Sequence, residues 1–392
     1  MPVKRVAFFM LPRLTSAAGA GKYFIEMARN VGKSGKRVDV ITLNKKDFLV
    51  FRRLLRIFYH LDFFSPLDAS GTETEEAINA LLGPANWLEL SLSALKKSLR
   101  SYDVIYTKNE LVELLVLKML GYSELPPIVV GVHTPLRYER GSSLLSKFHN
   151  FIYAGFVYRW LLSGVSCVHA SNRYTKDFVE RRFKVPCILV NYPFSSKEML
   201  TTAKEYHFDD YDFSDEKLNC AFIARLGEQK GVGTLVRLLH RVAEFSELKS
   251  RVRFNIFGEG DMRSLVETAA SQYEFVNYFG YVENRYVPSI LSDQDLFIST
   301  SGWEVFPFNI LEAQSMGVPV IAFKIPGPED IIEHSRTGYL ANDFEDFFHY
   351  LTLVVRGKVD FSQDFIIQRI DEKYAPPIII KKFINMLEEF SN

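Results

Sequence analysis

Residues 299–338 read STSGWEVFPFNILEAQSMGVPVIAFKIPGPEDIIEHSRTG, and this stretch decides the fold. A strand ends near Ser299, a turn passes through Gly302, and a helix begins near Pro307. Proline suits the first helical turn, because the N–H it lacks would have no partner there. Gly317 stops the helix as a left-handed cap, and Pro319 opens the next strand. The turn delivers Glu304 and the backbone N–H groups of Val305 and Phe306 to the helix N-terminus. That terminus carries partial positive charge and unpaired donors, so it is a seat for a phosphate. Glu312 follows Glu304 by eight residues, a turn or so along the helix. Two carboxylates flanking an anion-binding terminus suit a ligand with hydroxyls at both ends and phosphates between. Two glutamates at this spacing are common on any surface; the strand, the proline-started helix, the Gly-x-Pro and the later Gly-Pro-Glu make the pattern specific.

The same alternation of short apolar runs with helical segments continues outward in both directions, as in parallel sheets with helices on both faces. Strands are expected at 5–10, 38–43, 104–107, 128–132, 165–170 and 188–190, then at 219–223, 253–257, 276–279, 296–299 and 319–323. The charged, strand-poor stretch 195–217 separates the two series and reads as a linker. With 392 residues there is room for two cores, and two open α/β sheets in tandem are expected to share a ligand cleft.

The balance of 47 basic and 47 acidic residues leaves no global field to draw in nucleic acid. Cys167, Cys187 and Cys220 are widely spaced in apolar runs and read as core thiols of a reducing, cytoplasmic compartment. No paired acidic motif calls for a metal. The first apolar run lacks a cleavage site and reads as a buried strand. Between Lys45 and Leu61, Phe48, Phe51, Leu55 and Phe58 recur at helical spacing among basic residues. That segment is either a helix packed on its sheet or a peripheral contact on a membrane surface. Residues 144–162 are long enough to span a bilayer, but Lys147, His149, Asn150 and Arg159 favour a core helix.

Upstream of the deciding stretch, residues 222–231 read FIARLGEQKG, ending a strand and opening a helix. Arg225 and Lys230 on that loop can neutralise two phosphates and stabilise a departing diphosphate.

These residues resemble the retaining glycosyltransferases of family four, which have the GT-B fold. The resemblance is densest over 218–339 and looser over the whole chain. It implies two Rossmann-like domains, an acceptor domain at 1–194 and a donor domain at 218–374, with residues 375–392 forming a helix that returns to the first. By this resemblance Arg225 and Lys230 bind the donor's phosphates, Glu304 faces the donor sugar, and Glu312 holds the ribose hydroxyls. Gly258 belongs to a Gly-x-Gly turn, and Tyr281 and Val282 to a loop that contacts the base. In the first half, Gly19 and Gly21 match a glycine-rich loop that approaches the diphosphate and uses positive φ. That loop lacks the further glycines or Ser/Thr of nucleoside-triphosphate and dinucleotide motifs. Residues 132–138, VHTPLRY, match a stretch placing His133 at the donor sugar and Arg137 and Tyr138 near the acceptor. Two positions depart from the pattern: Asn191-Tyr192 stands where Asn-Gly is usual, and Val305 where Gly is usual.

The expectation is therefore transfer of a hexosyl unit from a UDP- or GDP-linked sugar to a glycan or lipid-linked acceptor, with retained configuration and no cofactor or metal. A nucleotide-sugar epimerase of the same fold, or a non-catalytic nucleotide-sugar-binding protein, are the alternatives.

Overall fold

The structure is a computed structural model and describes residues 3–11, 19–44, 46–48, 83–108, 111–137, 144–209, 213 and 217–391. Segments such as RVAFF and IVVGV are apolar on both sides, which suits strands covered by helices on each face. Seven of them form one sheet: β1 (Arg5–Phe9), β2 (Arg37–Leu43), β3 (Asn86–Leu90), β4 (Val104–Lys108), β5 (Ile128–Val132), β6 (Cys167–Ala170) and β7 (Cys187–Leu189). Their order is β3-β2-β1-β4-β5-β6-β7, every pairing parallel. Six more form a second sheet: β8 (Leu218–Ile223), β9 (Val252–Phe257), β10 (Val276–Gly280), β11 (Leu296–Ser299), β12 (Val320–Phe323) and β13 (Gly338–Ala341). Their order is β10-β9-β8-β11-β12-β13, again all parallel.

The strand order reverses between β1 and β4 in one sheet and between β8 and β11 in the other. At such a reversal the crossover helices diverge to opposite faces, leaving a crevice beyond the strand C-termini where ligands bind. The chain divides into one compact unit of Met1–Tyr192 with Pro377–Asn392 and a second of Pro193–Pro376.

Several expectations are corrected. Two strands, β3 and β13, carry no strong apolar signal: NWLEL alternates at a sheet edge, and GYLA is half glycine and alanine. The expected linker at 195–217 contains a helix, Ser196–Glu205, capped by the Ser195 hydroxyl, which accepts from the Glu198 N–H. It packs against the helices Val287–Ser292 and Phe308–Ser315 of its own unit. Its sparse apolar residues concealed it; the Ser-x-x-Glu start was the available signal. Residues 144–162 form two helices, Leu144–Tyr153 and Phe156–Leu162, rather than one core helix. Gly155 makes the break, since a Cβ there would lie 1.9 Å from the Phe151 carbonyl oxygen. The three cysteines are buried free thiols. Burial pushes the Cys167 thiol up to about 12, far from a reactive thiolate. Most of residues 45–61 lies outside the described residues.

Candidate functional site

In the second unit the loops after β8 and β11 emerge side by side at the sheet's reversal. Residues Glu228–Lys230 form a single 3-10 turn, closed by Gly231 at φ 69°. A Cβ on Gly231 would sit 1.9 Å from the Thr300 carbonyl oxygen, so only glycine lets the loops touch. The Thr300 hydroxyl faces the carbonyls of Lys230 and Gly231, at 2.9 and 3.0 Å. The Gly302 N–H donates to the Gln229 carbonyl at 2.9 Å. So held, Lys230 donates to Glu304 Oε1 at 2.6 Å, with the Glu304 side chain only 7% exposed. Two residues separated by 74 positions, each singled out from sequence, form one ion pair.

The helix that follows is Phe308–Ser315, with Pro307 as its N-cap in an extended conformation. The proline stands one place before the expected first turn. The N–H groups of Ile310 and Leu311 point back to its carbonyl, at 3.2 and 3.4 Å. Val305 and Phe306 therefore precede the helix, and its first-turn N–H groups belong to Phe308 and Asn309. Phe306 is buried against Phe308 and Tyr374. Glu312 lies on this helix, half-buried. Gly327, at φ 93°, packs directly on the turn: a Cβ there would approach Pro307 Cδ to 2.9 Å and the Glu304 Cβ to 3.2 Å. Gly327 of the Gly-Pro-Glu motif thus packs against the turn that carries Glu304, a role its sequence did not disclose.

Arg225 is exposed at the end of β8. Its neighbours are clamped to the turn after β9: the Leu226 N–H donates to the Glu259 carbonyl at 2.8 Å and the Met262 N–H to the Leu226 carbonyl at 3.0 Å. Gly258 (φ 131°) and Gly260 make that approach possible, since Cβ atoms there would meet the Ala224 and Leu226 oxygens at 1.8 and 2.2 Å. Tyr281, just past β10, is 71% exposed, while Val282 packs beside Phe213, Phe257 and Ile290.

In the first unit, Gly19 and Gly21 lie inside the helix Gly19–Lys33, correcting the expected loop with positive φ. Arg137 is described and exposed; Tyr138 lies outside the described residues. His133, at the end of β5, is buried within a polar chain that the sequence reading missed. Its Nδ1 lies 2.7 Å from the Tyr192 hydroxyl and its Nε2 3.0 Å from the Tyr106 hydroxyl. Tyr106 in turn lies 2.8 Å from His169 Nδ1, and His169 Nε2 lies 2.7 Å from the Val190 carbonyl.

A carbonyl can only accept, so His169 Nε2 carries a proton. Burial pushes His169 down from 6.5 to about 4, against the pull of the Val190 hydrogen bond, so it is neutral near pH 7 and its Nδ1 accepts. Tyr106 therefore donates to His169 and accepts from His133 Nε2–H. Burial, helped by nearby His169 and Lys108, lowers His133 well below the usual imidazole range. Its Nδ1 is then an acceptor for Tyr192. Gly131 makes room for the chain: a Cβ there would lie 2.1 Å from the Tyr106 hydroxyl and 2.5 Å from His133 Nε2. Tyr192, at the position of the usual Gly, is the group that caps His133. His133 is thereby an oriented neutral dipole rather than a proton carrier. The one prior signal was the departure from Asn-Gly.

A histidine whose folded pKa is depressed binds fewer protons folded than unfolded between about pH 4 and 6.5, so stability rises with pH across that window. The first unit should lose stability as pH falls from 6.5 toward 4. His169→Gln, whose amide can donate to Val190 and accept from Tyr106, should flatten part of that slope. Urea unfolding followed across this pH range measures it; a slope unchanged in the variant would sink the assignment.

Two family models match this chain: Glycosyltransferase Family 4 over residues 17–193 and Glycosyl transferases group 1 over residues 203–367. An uncharacterized 41.2 kDa protein of the Klebsiella pneumoniae cps region is 29% identical over 49% of this chain and 51% of its own length. The 2-deoxystreptamine N-acetyl-D-glucosaminyltransferase of Niallia circulans is 28% identical over 32% of each chain. The matched stretches thus span about half or less of these curated relatives. The solved structure of Anabaena Alr3699/HepE in complex with UDP superposes with a TM-score of 0.68 at 15% identity, covering 98% of this chain and 100% of that one. Two reversed parallel sheets, the Lys230–Glu304 pair at the second reversal and family models covering both halves lead to one conclusion: the chain belongs to the group 1 glycosyltransferases of GT-B fold.

Proposed function

We propose that the chain is a retaining glycosyltransferase that moves a hexosyl unit from a UDP- or GDP-linked sugar to a glycan or lipid-linked acceptor without a required metal. The Lys230–Glu304 pair at the sheet reversal, beside the helix that carries Glu312, is the observation that carries this reading. A cation held half-buried by a carboxylate is poised to exchange that partner for a diphosphate, whose higher charge competes for the same protons. Arg225 is exposed on the same loop and supplies a second cation. Support for a uridine donor comes from the Anabaena protein, which was solved with UDP.

In the proposed reaction the acceptor oxygen bonds to the anomeric carbon from the face that the diphosphate leaves. The bond from that carbon to the phosphate oxygen breaks, and the acceptor's proton passes to the departing oxygen. Lys230 and Arg225 stabilise the charge that collects there. Glu304 orients the sugar and Glu312 the ribose.

The test is release of nucleoside diphosphate from UDP- and GDP-sugars with chelator present, with and without acceptor, and NMR of the product's anomeric configuration. Interconversion of two nucleotide sugars, or intact donor under all conditions, would replace the proposal with the epimerase or the binding protein. Glu312→Ala should weaken donor binding by about 1–3 kcal/mol through lost ribose hydrogen bonds. Titration calorimetry measures this, and unchanged affinity would remove Glu312 from the ribose.

A further inference from the structure

The first unit presents an aromatic face to solvent where its chain bends between two short helices. Of the twelve large apolar side chains exposed among the described residues, five fall within 148–160: Phe148, Phe151, Phe156, Val157 and Trp160. Phe151 is 74% exposed and Phe156 80%, on either side of the Gly155 break. The opposite side of the same helices is core, with Ile152, Tyr153, Tyr158, Leu161 and Leu162 buried. The helices are therefore firmly seated, and their outward aromatics are not a consequence of loose packing. A monomeric soluble surface seldom gathers aromatics this way without a partner.

The surround is basic. Lys147 and Arg159 are exposed on the two helices themselves. Arg182, from the next helix, donates through Nε to the Ala154 carbonyl at 3.0 Å, which fixes its guanidinium at the bend. Lys118 lies 5.4 Å from the centre of the Trp160 ring. The nearby acids Asp177 and Glu180 face Arg181 and Lys176 along their own helix.

We infer that this bend is a docking surface for the interfacial layer of an anionic bilayer. Aromatic side chains settle at the headgroup level, while long basic side chains bury their stems and keep their charge among lipid phosphates. A second copy of the chain fits poorly, because an isologous contact would set these cations against one another. The inference is independent of the acceptor's identity and of the proposed reaction. It also differs from the membrane contact that is one of the two readings of Lys45 to Leu61, most of which lies outside the described residues.

The test is flotation of the full chain with vesicles of phosphatidylcholine alone and of phosphatidylcholine mixed with phosphatidylglycerol. Binding should require phosphatidylglycerol and weaken as salt rises. The double variant F151S/F156S should keep its unfolding temperature, since both side chains are exposed, and lose on the order of tenfold or more in vesicle partitioning. K147E/R159E should abolish the preference for anionic vesicles. Three results would overturn the inference: no association at low salt, association unchanged in F151S/F156S, or light scattering that shows a dimer which that variant turns into a monomer.

Discussion

Lys230→Met should lower turnover by on the order of a hundredfold or more, if the proposed stabilisation of a leaving diphosphate by this cation holds. Methionine keeps the length of the stem, so the loss is electrostatic rather than steric. The structure adds a complication that the experiment must separate. Lys230 is also the cation 2.6 Å from Glu304, whose side chain is almost fully covered. Removing it leaves a buried carboxylate without that charge, which costs about 1–3 kcal/mol of stability. The double variant Lys230→Met/Glu304→Gln removes both charges and should recover most of that stability while leaving turnover low. Steady-state kinetics and urea unfolding on the two variants and on Glu304→Gln close the cycle. If turnover returned with stability, Lys230 would be structural and the leaving-group role would go.

Gly258→Ala is the second large effect. At φ 131° an L side chain is strained, and the new Cβ would lie 1.8 Å from the Ala224 oxygen. Neither backbone can easily yield, because the Ala224 N–H donates to Phe257 O at 3.2 Å and the Gly258 N–H to Gly280 O at 2.7 Å. Overlap and strain together should cost about 2–4 kcal/mol. Since Ala224 adjoins Arg225, the shift also displaces the loop proposed to bind the donor's phosphates, so donor-induced thermal stabilisation should disappear. Gly302→Ala is the control: its Cβ would have nothing within 4 Å, and the N–H bonded to Gln229 remains. Stability of the two variants within a few tenths of a kcal/mol of each other would show that the close approach at Gly258 does not matter.

Most strands were legible because a strand covered on both faces writes itself as a short apolar run. IVVGV at 128–132 and LFIS at 296–299 need no partner to be recognised. The edge strand at 86–90 and the strand at 338–341 were not, because NWLEL is half-exposed and GYLA is half glycine and alanine, so neither carries much apolar excess. Among site residues, Glu304 and Lys230 were identified from motif spacing, but no spacing says that they touch. Gly19 and Gly21 were misplaced by the same means: the motif gave their neighbourhood, whereas the structure puts both in the helix Gly19–Lys33.

By itself the sequence determined most of the succession of strands and helices, the punctuation near Pro307 and Gly317, and which charged residues stand on the loops after β8 and β11, since each depends on neighbours a few positions away. Tertiary structure alone decided which distant groups meet: Lys230 with Glu304 across 74 residues, Tyr106 with His133 across 27 and with His169 across 63. It also decided that Tyr192 caps His133 and that Phe151 and Phe156 face outward. Those outcomes rest on loop contacts as close as the one Gly231 permits and on which side of a helix the core covers, and neither is encoded in any short window of the chain.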